Sequence, residues 1–160
     1  MSVSYSLDMA TEKTALEVAW HLHDAARSVR MFEESVTPEL LLDEGAVTQT
    51  GLWVCVGEEK PQPWNPVITD LGFTPTASVR FQLGRSRGAS DQQTDMIRLV
   101  SGLLSRAPGE AVLHFQFEVI WLLRRGGELA LNERDDLWPP QRLAAVSQPY
   151  RRATHEFSEE

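Results

Sequence analysis

The sequence predicts an α+β fold, a single mainly antiparallel sheet with two long helices packed on one face. Two pairs of segments carry this expectation. Residues 2–9 and 76–83 alternate polar and apolar side chains with the period of two that a half-buried strand requires. Residues 15–29 and 90–107 instead place apolar residues three and four apart, the spacing of a helix lying on a core. No internal stretch is long or polar enough to serve as a linker. Residues 1–160 therefore read as one α+β domain, with a tail from about residue 150 expected to fray.

The first strand sets Val3, Tyr5, Leu7 and Met9 against Ser2, Ser4, Ser6 and Asp8. Thr11 is placed to cap the helix that follows, with Glu12 in its first turn. Ala15, Val18, Ala19, Leu22, Ala26 and Val29 form that helix's apolar stripe. Thr37-Pro38-Glu39 opens a short helix over Leu40, Leu41 and Leu42, with proline at the first helical position, and Gly45 ends it. Residues 46–56 read as a second strand that Gly51 interrupts, as a bulge or a close approach would. Residues 57–66 hold three prolines and form a stiffened loop that carries Trp64.

After the strand at 76–83, Ser90 and Gln93 have the spacing of a capping box, with Asp91 in the first turn of the second long helix. That helix buries Met96, Ile97, Val100, Leu103, Leu104 and Ala107 and stops at Pro108-Gly109. Gly102 inside it costs about 1 kcal/mol relative to alanine, so packing must compensate. Residues 111–123 form either one long strand or two broken near Gln116–Glu118. Arg124-Arg125-Gly126-Gly127 is a turn, and Glu128–Leu131 returns as a short strand. Trp138-Pro139-Pro140 begins a tail without regular structure.

Composition excludes several classes. Hydrophobic residues make up 42% and charged residues 24%, a globular balance. The net charge of −8 argues against a nucleic-acid partner held by general electrostatic attraction. Cys55 is the single cysteine, which excludes an internal disulfide and a thiolate metal cluster. No apolar run reaches the roughly 18 residues of a membrane helix. The opening MSVSYSLDMATEK has neither the basic start nor the apolar core of a signal peptide. A cytoplasmic protein without a membrane partner is expected; its oligomeric state is not legible.

No residue pattern compels a reaction, and no cofactor, metal or catalytic residue is expected. His21 and His23 point about 200° apart on a helix and cannot share a metal, which needs four-residue spacing and a further ligand. His114 sits on the polar side of its strand and reads as a surface histidine; to act as a base it would need a partner, and Glu118 lies further along the same face. Cys55, among Trp53, Val54 and Val56, reads as a buried small hydrophobe. Gly84–Gly88 lacks the spacing and ending of a phosphate loop. Arg85, Arg87, Arg124 and Arg125 would make a small basic patch if their loops met. Trp64 and Trp138, each beside prolines, are either plugs over the core or binding anchors.

The charge is uneven. Residues 1–75 carry twelve acids and four bases, while residues 76–160 carry eleven of each. The excess gathers at Glu33, Glu34, Glu39, Asp43 and Glu44, and again at Glu58 and Glu59. These could simply form a solvated face. They could also steer a basic protein partner, with Trp64 as aromatic anchor. The candidate partner-binding residues are therefore Glu33, Glu34, Glu39, Asp43, Glu44 and Trp64.

Several segments carry a family resemblance. They are Val3-Ser4-Tyr5-Ser6-Leu7, Leu71-Gly72-Phe73-Thr74-Pro75-Thr76, Pro108-Gly109-Glu110-Ala111-Val112-Leu113, Leu122-Leu123-Arg124-Arg125-Gly126-Gly127-Glu128-Leu129 with Asn132, and Trp138-Pro139-Pro140. Together they resemble a family of small bacterial proteins named after immunity proteins of the myxobacterial swarming-inhibition toxin systems. The likeness covers most of the chain and is firmest over residues 71–140. It implies neutralisation of a cognate toxin by direct binding and carries no family binding residues with it. Two other classes stay open. One is a small-molecule or peptide-binding accessory protein using the sheet's open face or a groove beside Trp64. The other is an enzyme whose site is assembled from distant residues.

Overall fold

The first strand lies in the middle of the sheet. In the computed structural model, which describes residues 3–85 and 88–158, β1 (Ser4–Ala10) pairs antiparallel with both β4 (Ala77–Gln82) and β5 (Glu110–Phe115). Outward from β4 come β3 (Trp53–Glu58) and β2 (Ala46–Val47). Outward from β5 come β6 (Val119–Arg125), β7 (Glu128–Leu131) and β8 (Arg151–Arg152). The resulting eight-stranded sheet is antiparallel throughout except at its β7–β8 edge. Of the five helices among the described residues, α1 (Ala15–Ser28) and α4 (Ala89–Leu104) are the long ones. The others are α2 (Pro38–Asp43), α3 (Pro66–Leu71) and α5 (Pro140–Leu143).

Alternation along the strands divides the core in two. Tyr5, Leu7, Met9, Val54, Val56, Val79, Phe81 and Leu113 join the buried residues of α1 and α4 in one large cluster. Residues of the other parity, Val112, Ile120 and Leu123, join Val67 and Leu71 of α3 and Phe73 in a second. The register between β5 and β6 slips beside Leu113 and His114, so β6 has one residue to spare. Trp121 and Leu122 therefore both enter the large cluster, as a bulge allows.

Local signals are answered unevenly. Thr14, not Thr11, caps α1: its hydroxyl accepts from the Glu17 amide while the Glu17 carboxylate accepts from the Thr14 amide. Val29 is exposed at the end of that helix, and Ala25 is buried in its stead. Thr37 caps α2 as its sequence predicts. Residues 46–56 are two strands, β2 and β3, with Gly51 at φ 100° in the connection between them. The breaker-rich loop ends in α3, where Asn65 caps and Pro66 takes the first turn. Ser90 does not cap α4; Gly88 occupies that position, and the helix stops at Leu104. The segment 111–123 is two strands, with Gln116 and Phe117 at φ 50° and 60° in the hairpin turn.

The tail is more ordered than its composition suggests. α5 and β8 are regular, Phe157 packs on the second cluster, and the Ser158 amide donates to Asp70. Arg142 of α5 explains the attachment. Its guanidinium is buried and donates to the Leu137 and Ser90 carbonyls, the Thr94 and Ser90 hydroxyls and the Gln93 side chain. It also lies over the Trp121 ring. Ser90 and Gln93 thus serve Arg142 rather than each other. Ser2 and residues 159–160 lie outside the described residues.

Gly102 is where α1 and α4 touch. A Cβ on it would stand 2.5 Å from the Ala25 Cβ, closer than carbon atoms pack. Helix propensity predicts that Gly102→Ala stabilises by about 1 kcal/mol. The close approach reverses the sign: urea unfolding of Gly102→Ala is expected to show a loss of about 1–3 kcal/mol, and a gain would mean that the two helices separate freely.

Candidate binding surface

The five acids fall on one exposed stretch. Glu33 and Glu34 lie in the connection between α1 and α2, Glu39 and Asp43 on α2, and Glu44 at its C-cap. Glu33 and Glu34 border a concavity of about 730 Å³ shared with His23, Arg27 and Arg30. Arginines from the end of α1 therefore interrupt the negative surface. His23 is not an idle helix residue, because its Nε2 bonds the Val36 carbonyl at 2.8 Å and ties the connection to the helix.

The two tryptophans separate cleanly. Trp64 is 73% exposed and plugs nothing. Trp138 is 1% exposed, donates its indole N–H to the Trp121 carbonyl and meets the Trp121 ring nearly edge-on. No hydrogen bond, ion pair or ring contact among the described residues joins Trp64 to the five acids. Two of the four arginines that would make a basic patch are engaged with backbone carbonyls. Arg124 spends its guanidinium on the carbonyls of Leu104, Ala107 and Gly109, where α4 ends, and Arg125 donates to the Leu71 carbonyl. Arg87 lies outside the described residues.

A second concavity lies on the sheet itself. α3 and Phe157 cover the second face over β5 and β6, but leave it open over β3, β4 and β1. The open part is a groove of about 490 Å³ lined by Ser4, Ser6 and Asp8 of β1, Trp53 of β3, Arg80 and Gln82 of β4, and His114 of β5. Glu59, Asn65, Gln116 and Phe117 add to its walls.

Asp8 and His114 form the floor's buried pair, 5% and 2% exposed. The Phe117 amide donates to His114 Nδ1 at 3.1 Å, which leaves the proton on Nε2. Nε2 then donates to Asp8 Oδ2 at 2.8 Å, and the Ser6 hydroxyl donates to Asp8 Oδ1 at 2.8 Å. The carboxylate sits between serine and histidine, so the serine proton points at Asp8 and not at a base. Both ring nitrogens are already engaged. This is a structural lock, reinforced by Phe117 stacking on the His114 ring and Phe157 meeting it edge-on. His114 is therefore buried rather than at the surface, and its partner is Asp8, across the β1–β5 pairing, rather than Glu118, which is exposed at the turn. Cys55 is half-buried rather than fully buried. Burial pushes its thiol up, away from the reactive thiolate.

The sequence carries only half of this lock. Asp8 and His114 each occupy the polar parity of a strand, but their adjacency depends on β1 pairing with β5, which neither segment encodes. Asp8→Ala and His114→Ala should each cost about 2–4 kcal/mol of stability, since each strands a buried partner. The double variant should lose clearly less than the sum; strict additivity in denaturant unfolding would show that the pair is not coupled.

Glu59 makes a separate pH forecast. Burial, helped by the Asp8 carboxylate nearby, raises its pKa. The folded protein therefore holds the Glu59 proton more tightly than the unfolded chain does. This contribution is present below the ordinary glutamate range and is lost as pH rises through the raised value. Glu59→Gln should raise the Tm at pH 7, and the gain should shrink towards pH 4; a gain that grows on acidification would reverse the sign.

Among the described residues, no helix is long and apolar enough to cross a membrane, and no three His, Cys, Asp or Glu side chains converge as a metal site. No curated protein and no solved structure matches the chain. A family model, SitI3-like, matches residues 3–142, from the central strand through Arg142 of α5. The chain belongs to the SitI3-like family, an immunity-like family by its name.

Proposed function

We propose that this protein is an immunity protein that binds a cognate bacterial toxin and neutralises it by direct contact, in the cytoplasm and without a catalytic step. The observation that carries the reading is the family match over residues 3–142. A non-catalytic role is supported by the Ser6–Asp8–His114 order, which directs the serine proton to a carboxylate already satisfied by histidine. It takes residues 1–160 as one domain, with both long helices on the sheet face of the large cluster, which their shared burial supports.

The partner is a protein rather than nucleic acid or a membrane. Glu33, Glu34, Glu39, Asp43 and Glu44 steer its approach, and Trp64 anchors it. Exposed acids mainly accelerate encounter and reject wrong partners, while a tryptophan on a proline-stiffened loop offers apolar area at little ordering cost. Exposure of all six residues supports the assignment. A small-molecule or peptide-binding accessory protein is the second reading, favoured by the groove on the open sheet face.

Co-purification with the product of a neighbouring toxin gene, followed by binding kinetics, tests the proposal. Reversing two of the acids should slow association and flatten its salt dependence. Trp64→Ala should instead speed dissociation by an amount worth about 2 kcal/mol, while its thermal unfolding stays within about 0.5 kcal/mol of wild type, as for an exposed residue. A stable Trp64→Ala protein with unchanged kinetics removes the anchor. Failure of the wild-type chain to bind or inhibit any such toxin removes the function.

A further inference from the structure

We infer that the groove on the open sheet face receives an arginine side chain of the protein partner, with its guanidinium on Glu59. For the partner's identity this rests on the toxin-binding reading. The preference for arginine rests on the groove alone.

The groove is unusual in the charge it leaves unanswered. Its carboxylates are Asp8 and Glu59, and its cation is Arg80. Asp8 accepts from Ser6 and from the Nε2–H tautomer of His114, so its hydrogen-bonding oxygens are served by two uncharged donors. Glu59 is half-buried, yet its carboxylate has no hydrogen bond or ion pair among the described residues. Its backbone is fixed, since the Glu59 amide donates to the Thr76 carbonyl. Arg80 stands in the same groove without forming an ion pair with either acid among the described residues. Among the described residues, two carboxylates against one cation leave an excess negative charge inside a concavity of about 490 Å³. A cation entering there relieves the repulsion between them and replaces water that burial has already thinned around Glu59.

The walls choose between cations. Trp53 lines one part of the groove and Phe117, 41% exposed, another. A flat, weakly hydrated guanidinium stacks on such rings while its N–H fork meets a carboxylate; a compact ammonium does the second only. Ser4, Gln82 and Gln116 add neutral acceptors for the remaining donors. The groove is built on β1, β3 and β4, whose ladders hold it in place, so little ordering is lost on binding.

The test uses the full chain and the peptide acetyl-Gly-Arg-Gly-amide, followed by amide and indole shifts in NMR, with the lysine and citrulline peptides alongside. The arginine peptide should give saturable shifts at Ser6, Gln82, Phe117 and the Trp53 indole. The lysine peptide should bind about threefold more weakly, and citrulline should not saturate. Glu59→Gln should weaken the arginine peptide about fivefold. Arg80→Gln, which removes the competing cation, should tighten it. Absence of saturable shifts, equal binding of citrulline, or unchanged affinity in a folded Glu59→Gln protein overturns the inference. Arg80→Gln provides the opposite-sign check should Glu59→Gln fold poorly, and weaker binding to it also overturns the inference. The peptide result does not involve the toxin. Peptide binding with no toxin captured sinks the proposed function alone. Toxin that binds wild type and Glu59→Gln equally sinks the groove alone.

Discussion

The fold depends on placing the N-terminal strand between β4 and β5. A strand paired on both sides must satisfy two neighbours, and β1 does so with Tyr5, Leu7 and Met9 in the large apolar cluster and Ser6 and Asp8 on the alternate positions. The polar face would be costly under a lid without partners. It is instead closed locally by His114, whose ring takes the Asp8 carboxylate with one nitrogen and the Phe117 amide with the other. That second bond reaches into the β5–β6 turn, where Gln116 and Phe117 hold positive φ without being glycine. Phe117 then stacks on the same ring, and Phe157 from the tail meets both. One histidine thereby links the central pairing, a strained turn and the tail.

Arginine does comparable work at the helix ends. α4 ends against the Arg124 guanidinium, which collects the Leu104, Ala107 and Gly109 carbonyls. The N-terminal turn of the same helix is held by Arg142, through Ser90 and Gln93. Neither pairs with a carboxylate among the described hydrogen bonds. Each uses its planar fork to satisfy several neutral oxygens at once, which an ammonium with three donors cannot match. Burial lowers the pKa of both groups, the expected cost of such a position. The arginine-rich second half of the chain is thus partly structural. Two of the bases that the sequence offered for a surface patch, Arg124 and Arg125, are spent on backbone carbonyls.

Periodic and local features were legible in the sequence; juxtapositions were not. The strand at 4–10, the helices at 15–28 and 89–104 and the Thr37-Pro38 start of α2 follow from spacing within a few residues. The β6 bulge defeated simple parity, because one extra residue sends both Trp121 and Leu122 to the same side. The tail's order depends on Arg142, Phe157 and Ser158 meeting partners far away in sequence, so composition alone suggested fraying. The candidate acids lie at the surface, whereas Trp64 beside its prolines reads as a plug over the core as readily as an anchor, and its exposure is decided by the fold. The groove floor carries no local signal. Its chemistry combines β1, β3, β4 and β5, whose lateral order no local signal specifies.

That lateral order also explains why the sheet's second face is divided. Over β5 and β6 its residues are Val112, Ile120 and Leu123, apolar enough to require a cover, and α3 with Phe157 provides it. Over β4 and β1 they are Arg80, Gln82, Ser4 and Ser6, for which water is an adequate neighbour. A cover there would have to hydrogen-bond every one of them to avoid a desolvation penalty. The open half is therefore stable as it stands, and it is rigid because its backbone is paired on both sides. A polar surface that is stable when wet and fixed in shape suits recognition by a partner able to supply the missing charges, and poorly suits a ligand that offers apolar surface alone.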